Sequence, residues 1–185
     1  MIRMFVVLVN GLPGAGKSTL AVRLAHELGL PLLSKDRVKE ALAHTLEAPQ
    51  EMCPRAWSRR LGAAAGETLW AVLADSARGA VLESFWRPGL RQVAVEGLRR
   101  AHAGAVHEVW CEVPVALARA RYEAREPYRH AVHHGALGGD DDWRRIAEEA
   151  GPLRLRCTHV VDTGREVDAA ELAAGVRGCL VGGLG

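Results

Sequence analysis

Charge of one sign is what this sequence most lacks: 24 Lys and Arg stand against 22 Asp and Glu, a formal net charge of +2. A near-neutral chain has no overall field to draw it onto nucleic acid or an anionic membrane, though a local basic site is still allowed. Aromatics are sparse, nine in 185 residues, too few to build the stacking track that a nucleic-acid strand requires. Cysteine is scattered: Cys53, Cys111, Cys157 and Cys179 form no CxxC pair and lack the density of a secreted scaffold, which points to reduced thiols in the cytoplasm. Long apolar runs are missing too. Phe5 to Val9 is too short for a signal-peptide core and leads straight into glycines, and nothing approaches the roughly 20 apolar residues of a membrane helix. There is no internal repeat. What is left is ordinary globular usage, 49% hydrophobic and 25% charged, at a length suited to one soluble domain over residues 1–185.

The apolar pattern alternates between strand and helix. Met4 to Val9 reads as a central parallel strand buried on both faces. Leu20, Leu24 and Leu28 recur every four residues between Lys17 and Gly29, the stripe of an amphipathic helix with a glycine stop. Pro31 to Ser34 is a second strand, followed by a helix bearing Val38, Leu42 and Leu46. Beyond Pro49 and Pro54, Ala56 to Ala77 is expected helical, Ala80 to Glu83 a strand, Leu90 to His102 a helix and Val106 to Glu112 a strand. Pro114 opens a helix over Val115 to Ala124, and a last strand is expected around His159 to Val161 before a C-terminal helix. Such alternation implies an α/β fold, a parallel sheet wrapped by helices. The one compositional break, Arg125 to Asp142, is rich in glycine and histidine and reads either as a mobile lid or as a floppy insertion.

Gly11-Leu12-Pro13-Gly14-Ala15-Gly16-Lys17-Ser18 fits the phosphate-loop pattern G-x-x-x-x-G-K-[ST] at every fixed position, between a strand and a helix as the motif demands. Glycines let successive N–H groups turn inward, and the following helix adds its positive end to the same anion. ATP is the expected guest with Mg²⁺. Lys17 would reach the β- and γ-phosphates, the Ser18 hydroxyl would ligate the metal, and Thr19 would meet the α-phosphate. A phosphate loop alone does not separate kinases from switches. Asp36, at the C-terminal end of the second strand, opens on the same side of the sheet and suits a general base for an acceptor hydroxyl. It equally suits an N-cap for the helix after it.

In these residues the chain resembles small P-loop kinases of the AAA-type group that holds chloramphenicol phosphotransferase and the polynucleotide 5′-kinases. The likeness rests on Gly11 to Ser18, on Ser34-Lys35-Asp36-Arg37 where that group carries its catalytic Asp, on the arginines of Arg119 to His130, and on Val161-Asp162-Thr163. The resemblance implies a five-stranded sheet of order 2-3-1-4-5 and a lid arginine over the phosphates. Among Arg119, Arg121, Arg125 and Arg129, Arg121 and Arg125 lie four apart on one helix face, able to reach the same oxygens. Glu83 ends the third strand, where it can hold the metal or bind the acceptor; Trp57 and Trp86 either line the acceptor pocket or belong to the core. His130, His133 and His134 lack a completing ligand set and read as a solvated loop, and Arg59-Arg60, Arg99-Arg100 and Arg144-Arg145 as exposed helix faces.

The expected function is ATP-dependent transfer of the γ-phosphate to a hydroxyl of a small molecule, an antibiotic or other secondary metabolite among the options. A polynucleotide 5′-hydroxyl kinase and an ATP-binding switch that phosphorylates nothing are the alternatives, the first opposed by charge and aromatic content.

Overall fold

Strand β1 (Phe5–Gly11) lies at the centre because its residues are apolar on both sides of the pleat: Val6, Val7, Leu8 and Val9 are all fully buried. The computed structural model describes residues 4–135 and 137–179. β1 leads through the phosphate loop into α1 (Lys17–Leu28), β2 (Leu32–Ser34) and α2 (Lys35–Thr45). α3 (Pro54–Ala74), β3 (Gly79–Glu83), α4 (Arg91–Arg100) and β4 (Ala105–Glu112) follow. α5 (Val115–Ala124), α6 (Gly139–Glu148), β5 (Cys157–Asp162) and α7 (Ala169–Gly178) complete the order. All strand pairings are parallel, and the sheet order is β2-β3-β1-β4-β5, as the resemblance implied.

Alternation along β1 sorts its side chains into two cores. Val7 and Val9 pack with Leu20, Leu24 and Leu28 of α1, Trp143 and Ile146 of α6 and Val176 of α7. Val6 and Leu8 pack on the other face with Leu69 and Leu73 of α3 and Leu98 of α4. Each such side chain contributes about 1.5–3 kcal/mol through its removal from water. β1 is thereby fixed between two layers, and the loop at its end inherits that rigidity. None of the described helices is long and apolar enough to cross a membrane.

Three expectations need correction. α2 begins at Lys35, with Ser34 at its N-cap, so Asp36 sits inside the first turn and is not the cap. The described part of the break from Arg125 to Asp142 is not all loop: 3₁₀ turns form at Glu126–Tyr128, beside α5, and at Ala131–His133, which docks on α2 and α3. There Ser58 Oγ donates to the Val132 carbonyl at 2.8 Å, and buried His133 meets Glu40 Oε1 at 2.9 Å, so this histidine is not solvated. Finally, Cys157 and Cys179 are joined by a disulfide rather than free. Their 22-residue separation hides the fact that the start of β5 lies beside the end of α7.

Candidate active site

The phosphate loop sits at the C-terminal end of β1, tied by Asn10, a residue that no motif or spacing marks in the sequence. Fully buried, Asn10 accepts through Oδ1 from the N–H groups of Gly11 and Trp86, at 2.8 and 2.9 Å. Its Nδ2 donates to the Trp86 carbonyl at 2.9 Å and to Glu108 Oε1 at 3.1 Å. One side chain thus fixes the entry of the loop to the segment after β3. Inside the loop, Gly14 has φ +87°, and a Cβ there would fall on the Ala118 carbonyl oxygen. Only glycine lets the backbone curl this closely against α5.

Lys17 is buried at the floor, its Nζ donating to the Leu12 carbonyl at 2.9 Å. Burial pulls its ammonium below the usual lysine range, and the Glu83 carboxylate opposes most of all. Glu83, buried at the end of β3, accepts from Ser34 Oγ at 2.7 Å and Ser18 Oγ at 3.3 Å. Two hydroxyls thereby point its carboxylate at the foot of the loop, and Ser34 is a member of the site that sequence reasoning missed. A hydroxyl and a carboxylate, hard oxygen donors side by side, fit Mg²⁺ and leave most positions to water and phosphate.

These groups open into a cavity of ≈ 1080 Å³ lined by Lys17, Ser18, Asp36, Glu83 and Arg125, large enough for a nucleotide and a second small molecule. Asp36 is exposed on its wall. Of the two lid arginines singled out, only Arg125 reaches the cavity. Arg121 instead donates to the carbonyls of Thr163 and Gly164, at 3.0 and 3.4 Å, bracing the turn after β5. Arg129 also lines the cavity, its guanidinium 4.2 Å from the centre of the Tyr122 ring. Neither tryptophan does. Trp86 is core, 6.3 Å from Trp70, and Trp57 lies outside the lining; Phe85, Tyr122 and Tyr128 supply the aromatic wall.

The charge of the cavity is lopsided. Lys17, Lys35, Arg37, Lys39, Arg55, Arg59 and Arg125 line it without ion-pair contact to any carboxylate among the described residues; Arg87, Arg129 and Arg145 line it paired to Glu149, Glu126 and Asp142. Against these ten cations stand Asp36, Glu40, Glu83 and Glu149. Burial above all pulls the Lys35 and Lys39 ammonium groups below their usual range, with Asp36 opposing and neighbouring cations adding to the shift. Arginines at Arg99, Arg100, Arg119, Arg144 and Arg165, away from the cavity, each meet a surface carboxylate. Arg60, Arg78, Arg91, Arg121, Arg154 and Arg177 also lack a carboxylate contact among the described residues, so what marks the cavity is that seven such cations converge on one space.

A provisionally assigned kinase from Chloroflexus aurantiacus J-10-fl superposes with a TM-score of 0.78 at 27% identity, covering 97% of this chain and all of its own. Shikimate kinase from Acinetobacter baumannii in complex with shikimate gives 0.58 at 19% identity, covering 95% and 92%. The Deinococcus radiodurans tunicamycin resistance protein gives 0.52 at 13%, covering 99% and 100%. No curated protein matches. The family model of the AAA domain matches residues 6–138, and the chain, a P-loop kinase in fold and phosphate loop, belongs to that family.

Proposed function

We propose that this kinase transfers the γ-phosphate of ATP to a hydroxyl of a small molecule that also carries an anionic group, a carboxylate or a phosphate ester, with Asp36 as the general base. The carrying observation is the set of unpaired cations around one cavity that holds both the phosphate loop and Asp36. Gly11, Pro13, Gly14, Ala15, Gly16 and Thr19 cradle the phosphates, Lys17 neutralises the β- and γ-oxygens, and Arg125, with Arg129 beside it, closes over them. Lys35, Lys39, Arg55 and Arg59 lie toward α2 and α3, on the acceptor side, and have charge to spare for an anion. An antibiotic or other secondary metabolite with an acidic group falls within this class.

Ser18 and Glu83 are the donors for Mg²⁺, which when bound supplies charge neutralisation across the phosphates. Asp36 accepts the proton of the acceptor hydroxyl as its oxygen attacks phosphorus, and Lys17 and Arg125 stabilise the charge that passes to the leaving ADP. Phe85 and Tyr122 present the apolar wall against which the acceptor is oriented. Trp57, Trp86 and Arg121 have no place in this reading, since none of them lines the cavity.

ADP release, followed while hydroxylated carboxylates, hydroxylated phosphate esters and their neutral counterparts are offered in turn, tests the proposal. Anionic acceptors should stimulate release, and Asp36→Asn should leave ATP affinity nearly intact while lowering the stimulated rate by about 10²–10⁴-fold. Near-normal turnover by Asp36→Asn removes the base; stimulation by neutral acceptors alone removes the anionic class.

A further inference from the structure

At the end of the sheet opposite the phosphate loop, β4 and β5 begin side by side, and their side chains there are donors rather than hydrocarbon. His107 pairs in register with Cys157, and His159, two residues further along β5, shares the same face. The end of α7 brings Cys179 to this spot, where its sulfur is bonded to that of Cys157. One ligand atom each from His107, His159 and Cys179 lie within 4.8 Å of one another, and His107 Nδ1 is 3.5 Å from His159 Nε2. His107 is fully buried, and its Nε2 has no hydrogen-bond partner among the described residues.

We propose that, with Cys157 and Cys179 reduced, these four side chains bind one Zn²⁺ as a tetrahedral Cys₂His₂ site that fastens the end of α7 to the β4–β5 edge. Zn–N bonds of about 2.0–2.1 Å and Zn–S bonds of about 2.3 Å place tetrahedral ligand atoms about 3.3–3.8 Å apart. The two imidazole nitrogens already stand at that spacing. The cysteine Cα atoms, 7.0 Å apart, lie just beyond the range of about 4.4–6.8 Å usual for a disulfide, a separation that leaves room for a metal between the sulfurs. Two thiolates and two imidazoles select Zn²⁺ over Mg²⁺ and Ca²⁺, which prefer oxygen.

The site is gated by redox state. A dithiol reductant breaks the S–S bond: two electrons and two protons pass to the cysteines, giving two thiols, and the dithiol leaves as its own disulfide. Zn²⁺ then displaces the two thiol protons to solvent and forms two Zn–S and two Zn–N bonds. Oxidised, the chain holds α7 by the disulfide; reduced, by the metal.

The full chain, reduced with excess phosphine under argon, is titrated with Co²⁺ and then with Zn²⁺. One equivalent of Co²⁺ should produce the intense visible bands of thiolate-ligated tetrahedral cobalt, Zn²⁺ should erase them, and the oxidised chain should show none. Zn²⁺ should also raise the melting temperature of the reduced chain. His159→Gln, at a partly exposed strand position, should weaken Co²⁺ binding by more than about 100-fold, beyond the roughly 10–100-fold lost with a partner that only hydrogen-bonds a ligand. Cys157→Ser combined with Cys179→Ser should abolish the bands with ATP binding unchanged. Absence of the bands in the reduced chain, a melting temperature indifferent to Zn²⁺, or bands that survive in the double variant would each overturn the site.

Discussion

Replacing Asn10 by Ala should cost this protein more than any other single change near the phosphate loop, although Asn10 touches no phosphate. Its four hydrogen bonds, between 2.8 and 3.1 Å, serve three backbone groups and one carboxylate. Alanine leaves the Gly11 N–H, the Trp86 N–H and the Trp86 carbonyl without that partner in a region where Asn10 itself is fully buried. At about 1–3 kcal/mol for each orphaned buried group, the loss is about 3–9 kcal/mol. Glu108 adds to this, since it loses one donor and retains the Leu153 N–H and the Thr158 hydroxyl, at 2.7 and 3.2 Å. Whole-domain stabilities run at about 5–15 kcal/mol, so even the lower end is a large share.

Urea unfolding followed by tryptophan fluorescence reads the effect directly. With an m-value of about 2 kcal/mol/M, the midpoint should fall by about 1.5 M or more. A shift below about 0.5 M would refute the reasoning, because it would mean that water or a relaxed backbone satisfies the orphaned groups. Asn10→Asp separates hydrogen bonding from shape. It keeps both Oδ1 acceptor bonds but turns an oxygen toward Glu108 and the Trp86 carbonyl, so two carboxylates share a buried site. That repulsion raises the pair's folded-state affinity for protons, so the deficit relative to the native chain should be greatest at neutral pH and shrink as pH falls.

Gly14→Ala places a Cβ on the Ala118 carbonyl at a positive φ, and calorimetry should show ATP affinity at least about tenfold lower; unchanged affinity would remove the close-approach argument. His133 is held below the ordinary histidine range chiefly by burial, with Lys39 and Arg129 adding to the shift and Asp36 and Glu40 opposing it. The unfolded chain therefore takes up the proton first, so the stability from a neutral His133 is complete above the unfolded pKa and is lost as pH falls below it. His133→Gln should flatten the fall in urea midpoint between about pH 7 and pH 5, and an unchanged slope would exclude the docked 3₁₀ turn as its source. Burial pushes the Cys111 thiol up to about 12, whereas Cys53 is exposed. Iodoacetamide at about pH 8 should alkylate Cys53 and spare Cys111 in the native chain; comparable rates by mass spectrometry would contradict that burial.

What could be read in the sequence was whatever is decided locally. The phosphate loop is contiguous, and its demands on backbone torsion and charge fall on eight neighbouring residues, Gly11 to Ser18. β1 and α1 announce themselves through periodicity, and the sheet order came with the resemblance. Groups that join across the fold left no such trace: Ser34 and Glu83 are 49 residues apart, and Asn10 and Trp86 are 76 apart. Their types, a serine and an asparagine, are common enough in turns and strand ends to pass without notice.

The arginines and aromatics show a subtler limit. Arg121 and Arg125 share a helix face by spacing, but α5 ends at Ala124, and the chain bends so that one guanidinium braces the turn after β5 while the other enters the cavity. Helical spacing carries no information beyond the helix that generates it. At the end of β3 a signal was present: extended backbone sends successive side chains to opposite faces. If Glu83 faces the phosphate loop, Phe85 should share its side and Trp86 should turn away, and Phe85 does line the cavity while Trp86 joins the opposite core, although Ser84, between Glu83 and Phe85, reaches the cavity as well. Period-two alternation, continued two residues past the strand, picks Phe85 rather than Trp86 as the aromatic beside Lys17, whose Nζ stands 6.0 Å from the Phe85 ring centre.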